Sequence, residues 1–333
     1  MRKVLTISIA AYNVEKWLRK TLDSLIVESV MDDVEVLIVN DGSTDNTETI
    51  AKEYENKYPK TFRLINKENG GYGSTINRSV IEAKGKYFKQ LDGDDWFYSG
   101  NLEQYINILK NTDADRVVTS FIRHNESTLE EKEEDCLPDL PEGLYDIEDI
   151  TFKDYLNMHS SAFRTELLRK IPAITEHCFY TDLELTCYPV MLEKKYYVRH
   201  KPVYVYRIGR EGQSVSIKSL CDHYKDHETV LKNLFKVYKK IDHKDRSRKK
   251  FLYIRLWIET LTHLKILCQL DNEKMAKDEL IKFIVSVNKR YPEIINKCMS
   301  HSKIAKILIK SDFTLFKPVR FLLKRKNKTN LFA

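Results

Sequence analysis

Lys86-Tyr87-Phe88-Lys89-Gln90-Leu91-Asp92-Gly93-Asp94-Asp95-Trp96 is the stretch on which the reading of this chain turns. Its first half leans apolar and reads as a strand. Its second half places three acids within four positions. A strand ending there sets carboxylate oxygens at the carboxyl edge of a sheet, where open α/β sheets bind their ligands. Hard oxygen donors suit Mg²⁺ or Mn²⁺, which takes one or two carboxylates and completes its shell with water and phosphate oxygens. Gly93 lets backbone approach a ligand without a Cβ. A lone Asp-x-Asp is more often an acidic turn, so the residues upstream decide.

Upstream, Val4–Ala11 is a short apolar run with β-branched residues and reads as a first strand. Asn13 is placed to cap the helix that follows, whose apolar positions Val14, Trp17, Leu18, Leu22, Leu25 and Ile26 recur at helical spacing. Val34–Val39 is the second strand. It runs into Asn40-Asp41-Gly42-Ser43-Thr44-Asp45-Asn46-Thr47-Glu48, where Asp45 and Glu48 approximate a capping box. Thr61–Ile65 is the third strand, Asn69–Ser74 a glycine-dense loop and Thr75–Ala83 a helix. Strand and helix repeated three times with short links predict a parallel, doubly wound sheet. Six of the ten glycines fall between Gly42 and Gly93, several of them at proposed strand ends.

The chain has 333 residues, 32% charged and 42% hydrophobic, a globular composition with room for two structural units. No run reaches the length of a membrane span. The apolar start reads as a buried strand and not a signal peptide, because Tyr12-Asn13-Val14-Glu15 follows without a cleavage region. Six cysteines without a Cys-x-x-Cys pair predict a reduced, cytoplasmic protein. The net charge of +7 is uneven: from Lys303 onward nine Lys or Arg stand against one acid, Asp312, leaving −1 for the rest. A main body without basic excess argues against nucleic acid as a partner.

Three strand-end stretches together resemble a family 2 glycosyltransferase of the GT-A fold: Ser8–Glu15, Val39–Asp45 and Leu91–Asp95. The resemblance covers roughly residues 1–216, and one departure is visible, Ala10-Ala11 where the family commonly has Pro before Tyr-Asn. It implies a nucleotide-sugar-binding catalytic domain over 1–216 and a helical region over 217–333. By resemblance, Tyr12 stacks on the uracil of a UDP-sugar, with the backbone of Ala10 and Asn13 beside it. Asp41 accepts the uracil N3–H, and Asn69, Gly70 and Ser74 border the donor. Asp92 and Gly93 meet the ribose, and Asp94 with Asp92 binds the metal that bridges the two phosphates. Asp95 orients the loop, and Arg210 reaches the pyrophosphate. Phe179-Tyr180-Thr181-Asp182 resembles the family's base motif with Thr181 in place of its first acid, which makes Asp182 the expected base and Glu184 its competitor. His159 reads either as a sugar contact or as a structural histidine.

The implied activity is metal-dependent, inverting transfer from a UDP-sugar to a glycan or lipid-linked acceptor in surface-polysaccharide synthesis. A homo-oligomer stays open. A sugar-phosphate nucleotidyltransferase is the rival enzyme, although it would want a basic Gly-rich loop after the first strand. A non-catalytic, membrane-surface glycan-binding protein is the rival outside enzymes. Downstream, Arg116–Ile122 reads as a strand, and the acidic run 123–149 as a solvated excursion. Tyr196–Tyr206 alternates as a strand or hairpin. From Leu220 the spacing is helical with breaks near Ile241, Asp271 and Pro292. The tail segments Lys303–Lys310 and Phe316–Lys326 mix aliphatic and basic residues, a pattern expected to lie on an anionic membrane surface, here the inner face of the plasma membrane.

Overall fold

The computed structural model describes residues 3–210 and 213–326. The chain divides into two compact units, Met1–Arg210 with Arg246–Arg248, and Glu211–Asp245 with Lys249–Ala333. In the first unit the strands are β1 (Leu5–Ala11), β2 (Val34–Asp41), β3 (Phe62–Lys67), β4 (Tyr87–Asp92) and β5 (Trp96–Phe97). They continue with β6 (Arg116–Asn125), β7 (Glu131–Glu134), β8 (Gly143–Asp146), β9 (Ser161–Arg164) and β10 (Lys195–Ile208). Its helices are α1 (Glu15–Asp23), α2 (Thr47–Lys57), α3 (Tyr72–Glu82), α4 (Leu102–Asn111), α5 (Thr165–Leu168) and α6 (Asp182–Cys187).

The sheet runs β3-β2-β1-β4-β9-β6-β10-β5. Its first four strands are parallel, and β2 is buried along its whole length, as a strand covered on both faces must be. β9 runs against its neighbours β4 and β6, β6 and β10 then pair in parallel with a bulge between Arg199 and Tyr204, and the edge strand β5 runs against β10. The result is an α/β unit with a mixed sheet whose longer strands run parallel.

Local expectations fail at three places, each time because a distant partner wins. Asn13 does not cap α1: its Oδ1 accepts the Thr44 N–H at 2.8 Å, and the N-cap position is Val14, which has no polar side chain to cap with. The capping box does not close either. Asp45 accepts from the N–H groups of Thr47 and of Glu15, while Glu48 accepts from Asn66 Nδ2 at 2.7 Å. The acidic run is not all excursion. Residues 131–134 add the antiparallel edge strand β7 to β6, with Glu134 on Arg123 at 2.9 Å and Glu131 on His124 at 3.0 Å. A cross-strand arginine and a hydrogen-bonding imidazole turn a repelling acidic run into a paired one.

The second unit is helical: α7 (Ile217–Asp222), α8 (Tyr224–Lys240), α9 (Arg246–Gln269), α10 (Glu273–Arg290), α11 (Pro292–His301), α12 (Lys303–Lys310) and α13 (Phe316–Lys326). The first residues of α9 belong to the first unit. Ser216, Asn272 and Ser302 cap α7, α10 and α12 through their side chains. No helix among the described residues is long and apolar enough to cross a membrane.

Candidate active site

In register, Ala10 of β1 lies opposite Val39 on one side and Asp92 on the other. Parallel pairing therefore delivers the loops after β1, β2 and β4 to one edge. Gly93 packs against β1 there: a Cβ on it would stand 2.9 Å from the Ala10 carbonyl oxygen. Tyr12 leaves the edge with 53% of its surface exposed, an aromatic face open for stacking. Beside it Asn13 adopts a left-handed φ of 53° and ties the first loop to the second, its N–H donating to Ser43 Oγ at 3.1 Å. Glu15 completes the tie by accepting from the backbone and side chain of Asn46.

Asp41 is buried, and its carboxylate organises the glycine loop. Oδ1 accepts from Lys67 Nζ at 2.6 Å and Gly70 N at 2.9 Å, and Oδ2 from Gly71 N at 2.9 Å. Asn69 donates to the Asp41 carbonyl at 2.9 Å, and Ser74 Oγ donates to the Gly71 carbonyl at 2.7 Å. Asp41, Asn69, Gly70 and Ser74, expected around the donor, thus hold the loop itself. The loop's end is helical, α3 beginning at Tyr72 and not at Thr75, and its glycines serve packing. A Cβ on Gly73 would fall 2.0 Å from the Thr175 carbonyl oxygen, inside the segment that leads to Asp182.

After β4 a tight turn, closed by the Asp95 N–H on the Asp92 carbonyl at 3.1 Å, folds Asp95 back beside Asp92. Ligand atoms of Asp92, Asp95 and His159 consequently lie within 4.8 Å of one another. Asp94 points elsewhere: Oδ2 accepts from Arg210 Nε at 2.5 Å, and that guanidinium sits 4.7 Å over the Trp17 ring. The sequence reading paired Asp94 with Asp92 and gave Asp95 an orienting part. In the structure Asp95 is the acid gathered with Asp92, and it is also anchored by Tyr204 Oη at 2.6 Å and Arg207 N at 2.8 Å. His159 stacks on Tyr206, ring centroids 4.1 Å apart.

Tyr72 Oη donates to Asp92 Oδ1 at 2.6 Å. Burial first, and then the Asp94 charge, push the Asp92 carboxyl up to about 7. Burial and the charges of Asp94 and Asp92 raise Asp95 well above the carboxylate range. Crowded, desolvated carboxylates of this kind fit a divalent cation, which would supply the missing positive charge. The oxygen-rich donor set with one imidazole suits Mn²⁺ or Mg²⁺.

Asp182 opens α6, and its charge is felt at Asp92, Tyr72 and Tyr206. Glu184, two residues on, points to another face. It is fully buried and accepts from Thr175 N at 2.7 Å and Thr175 Oγ1 at 2.9 Å. The far end of α6 is held by Arg116, which donates to the Thr186 carbonyl at 2.7 Å and pairs with buried Glu193 at 2.9 Å. Tyr72, Tyr204 and Arg207 escaped the sequence reading. Tyr204 and Tyr206 carried a signal, since their alternation puts both on one face of β10. Tyr72 carried none beyond its place in the glycine loop.

The model of Glycosyl transferase family 2 matches residues 6–172, half of the chain. The chain is 39% identical over 115 residues to an uncharacterised glycosyltransferase of Rickettsia prowazekii, covering 34% of this chain and 35% of that protein. It is 28% identical over 244 residues to the minor teichoic acid biosynthesis protein GgaB of Bacillus subtilis, covering 70% of this chain and 26% of GgaB. The chain spans about a third or less of the length of these curated relatives. In fold it is similar to S. aureus TarS 1–349, solved in complex with UDP-GlcNAc, with a TM-score of 0.68 at 18% identity over 97% of this chain and 92% of that one.

Proposed function

This chain belongs to glycosyl transferase family 2, and on that premise we propose that it moves a sugar, with inversion, from a UDP-sugar to a hydroxyl of a glycan or lipid-linked acceptor in cell-wall polysaccharide synthesis. The observation that carries the reading is the gathering of Asp92, Asp95 and His159 at the sheet edge, with the charge of Asp182 reaching Asp92. Support for the donor comes from TarS, solved with UDP-GlcNAc, and for the setting from GgaB, a teichoic acid biosynthesis protein. We place the reaction on the cytoplasmic side, at the inner face of the plasma membrane, where donor and lipid-linked acceptor meet.

Tyr12 offers its exposed ring to the base, and the Ala10–Gly93 contact shapes the floor beside it. Asp92, Asp95 and His159, with Asp94 once Arg210 has left it, are the residues that would hold a divalent cation. When bound, that ion supplies Lewis-acid neutralisation of the charge developing on the leaving diphosphate. Arg210, released from Asp94, is available to pair bidentately with diphosphate oxygens. Asp182 takes the proton of the attacking acceptor hydroxyl.

The test is calorimetry and UDP release over a panel of UDP- and GDP-sugars, with and without Mn²⁺. Asp94→Asn is expected to keep the fold, weaken Mn²⁺-dependent UDP binding and abolish transfer. Full activity in a folded Asp94→Asn protein, or no nucleotide-sugar binding by the parent, overturns the reading.

A further inference from the structure

The C-terminal helices are not amphipathic in the simple sense, because one apolar face of each is already used. In α12 the buried residues are Ala305 and Leu308. In α13 Phe316, Val319 and Leu323 are buried, and Arg320 on the inner side donates to the Leu270 carbonyl at 2.5 Å. The outer side of α13 remains apolar all the same. Phe321 and Leu322 are 61% and 65% exposed, and Leu315 just before the helix is 47% exposed. Lys317 and Arg325, both exposed, lie four residues before Phe321 and four after it, on the same stripe. The outer stripe of α12 adds Lys303, Lys306 and Lys310 around the 45% exposed Ile307. Asp312 is the one acid between residues 303 and 326.

We propose that the outer face of α13, with the lysines of α12, is a docking surface for an anionic lipid bilayer. Phe321, Leu322 and Leu315 enter the headgroup boundary while Lys317 and Arg325 extend to lipid phosphates. Charge selects this occupant. The basic excess of the whole chain is concentrated on these two helices, and an adjacent bulky apolar pair does not suit a nucleic-acid backbone. Sequence pattern alone would have sent Phe316, Val319 and Leu323 into the lipid as well; the fold withdraws them and leaves a narrower, reversible anchor. The surface goes beyond the transfer reading, and its measurement needs no sugar.

The full chain is co-sedimented with vesicles of phosphatidylcholine alone or with about one third phosphatidylglycerol, at low and high salt. Binding is expected only to the anionic vesicles and is expected to fall with salt. Phe321→Ser combined with Leu322→Ser, and separately Lys317→Gln combined with Arg325→Gln, should each weaken it about tenfold or more. Thermal midpoint and UDP release should be unchanged in both. Equal binding to neutral vesicles, or undiminished binding by both folded variants, overturns the proposal. So does light scattering that shows a dimer in the parent and a monomer in the Phe321/Leu322 variant, which would make the face a contact between two copies.

Discussion

At the scale of single residues the site separates acids that the sequence leaves equivalent. Asp182 and Glu184 stand two positions apart at one helix start, yet Glu184 is spent on Thr175 inside the fold while the charge of Asp182 reaches Asp92. We expect Asp182→Asn to lower turnover by roughly two to four orders of magnitude with donor affinity little changed. Glu184→Gln should instead cost stability, about 1–3 kcal/mol, by weakening a buried acceptor. UDP-release kinetics and thermal melts on the two variants check this, and exchanged phenotypes would refute it. Asp94 and Asp95 divide in the same way, one taken by an arginine 116 residues away and the other by a tyrosine 109 residues away. Neither partner lies within reach of a local reading.

At the scale of elements, α3 and the glycine loop prove to be a clamp. Asn77 on α3 donates to the Ile174 carbonyl at 2.8 Å and accepts the Ile174 N–H at 2.9 Å. The His177 N–H reaches the Gly70 carbonyl at 2.6 Å. The clamp positions the approach to α6 and so to Asp182. Gly73→Ala is expected to force that segment away, costing about 1–3 kcal/mol and lowering turnover with little change in metal affinity. A melt and a turnover assay test it, and a neutral Gly73→Ala would show that the segment yields freely. Strands β1 to β4 were legible because their apolar runs are local. The start of α3 was not, since glycines that signal a flexible loop were selected here for close packing. Nor was β7, whose acids are met by Arg123 and His124 of β6.

At the scale of the whole molecule, the buried charges set a pH dependence of opposite sign on the two sides of neutrality. The native Asp92 carboxyl, raised to about 7, and Asp95, raised also, hold protons that the unfolded chain has released above the ordinary carboxylate range. Stability of the metal-free protein should therefore fall as pH rises from about 4 toward 7. Lys89, fully buried and brought down to about 7 by burial, acts in the other direction. Above 7 the unfolded chain binds the extra proton, so stability should rise toward the ordinary lysine range. Thermal midpoints in chelator should show Asp92→Asn flattening the acid limb and Lys89→Met the alkaline one. Mn²⁺ should raise the midpoint more at pH 8 than at pH 6, because it competes with the carboxylate protons; equal shifts at the two pH values would speak against binding at these acids. What the sequence by itself determined is the row of strand ends and the presence there of Tyr12, Asp41, Asp92, Asp94 and Asp95, because strands and their terminal residues follow from short-range pattern. Only the tertiary structure decided which acids converge, which are paired off, which of two acids on α6 is taken up by Thr175, and which side of α13 faces out. Apart from Glu184, held by Thr175 nine residues back, each of those outcomes rests on a partner tens of residues distant, and burial or pairing by that partner is what separates chemically identical side chains.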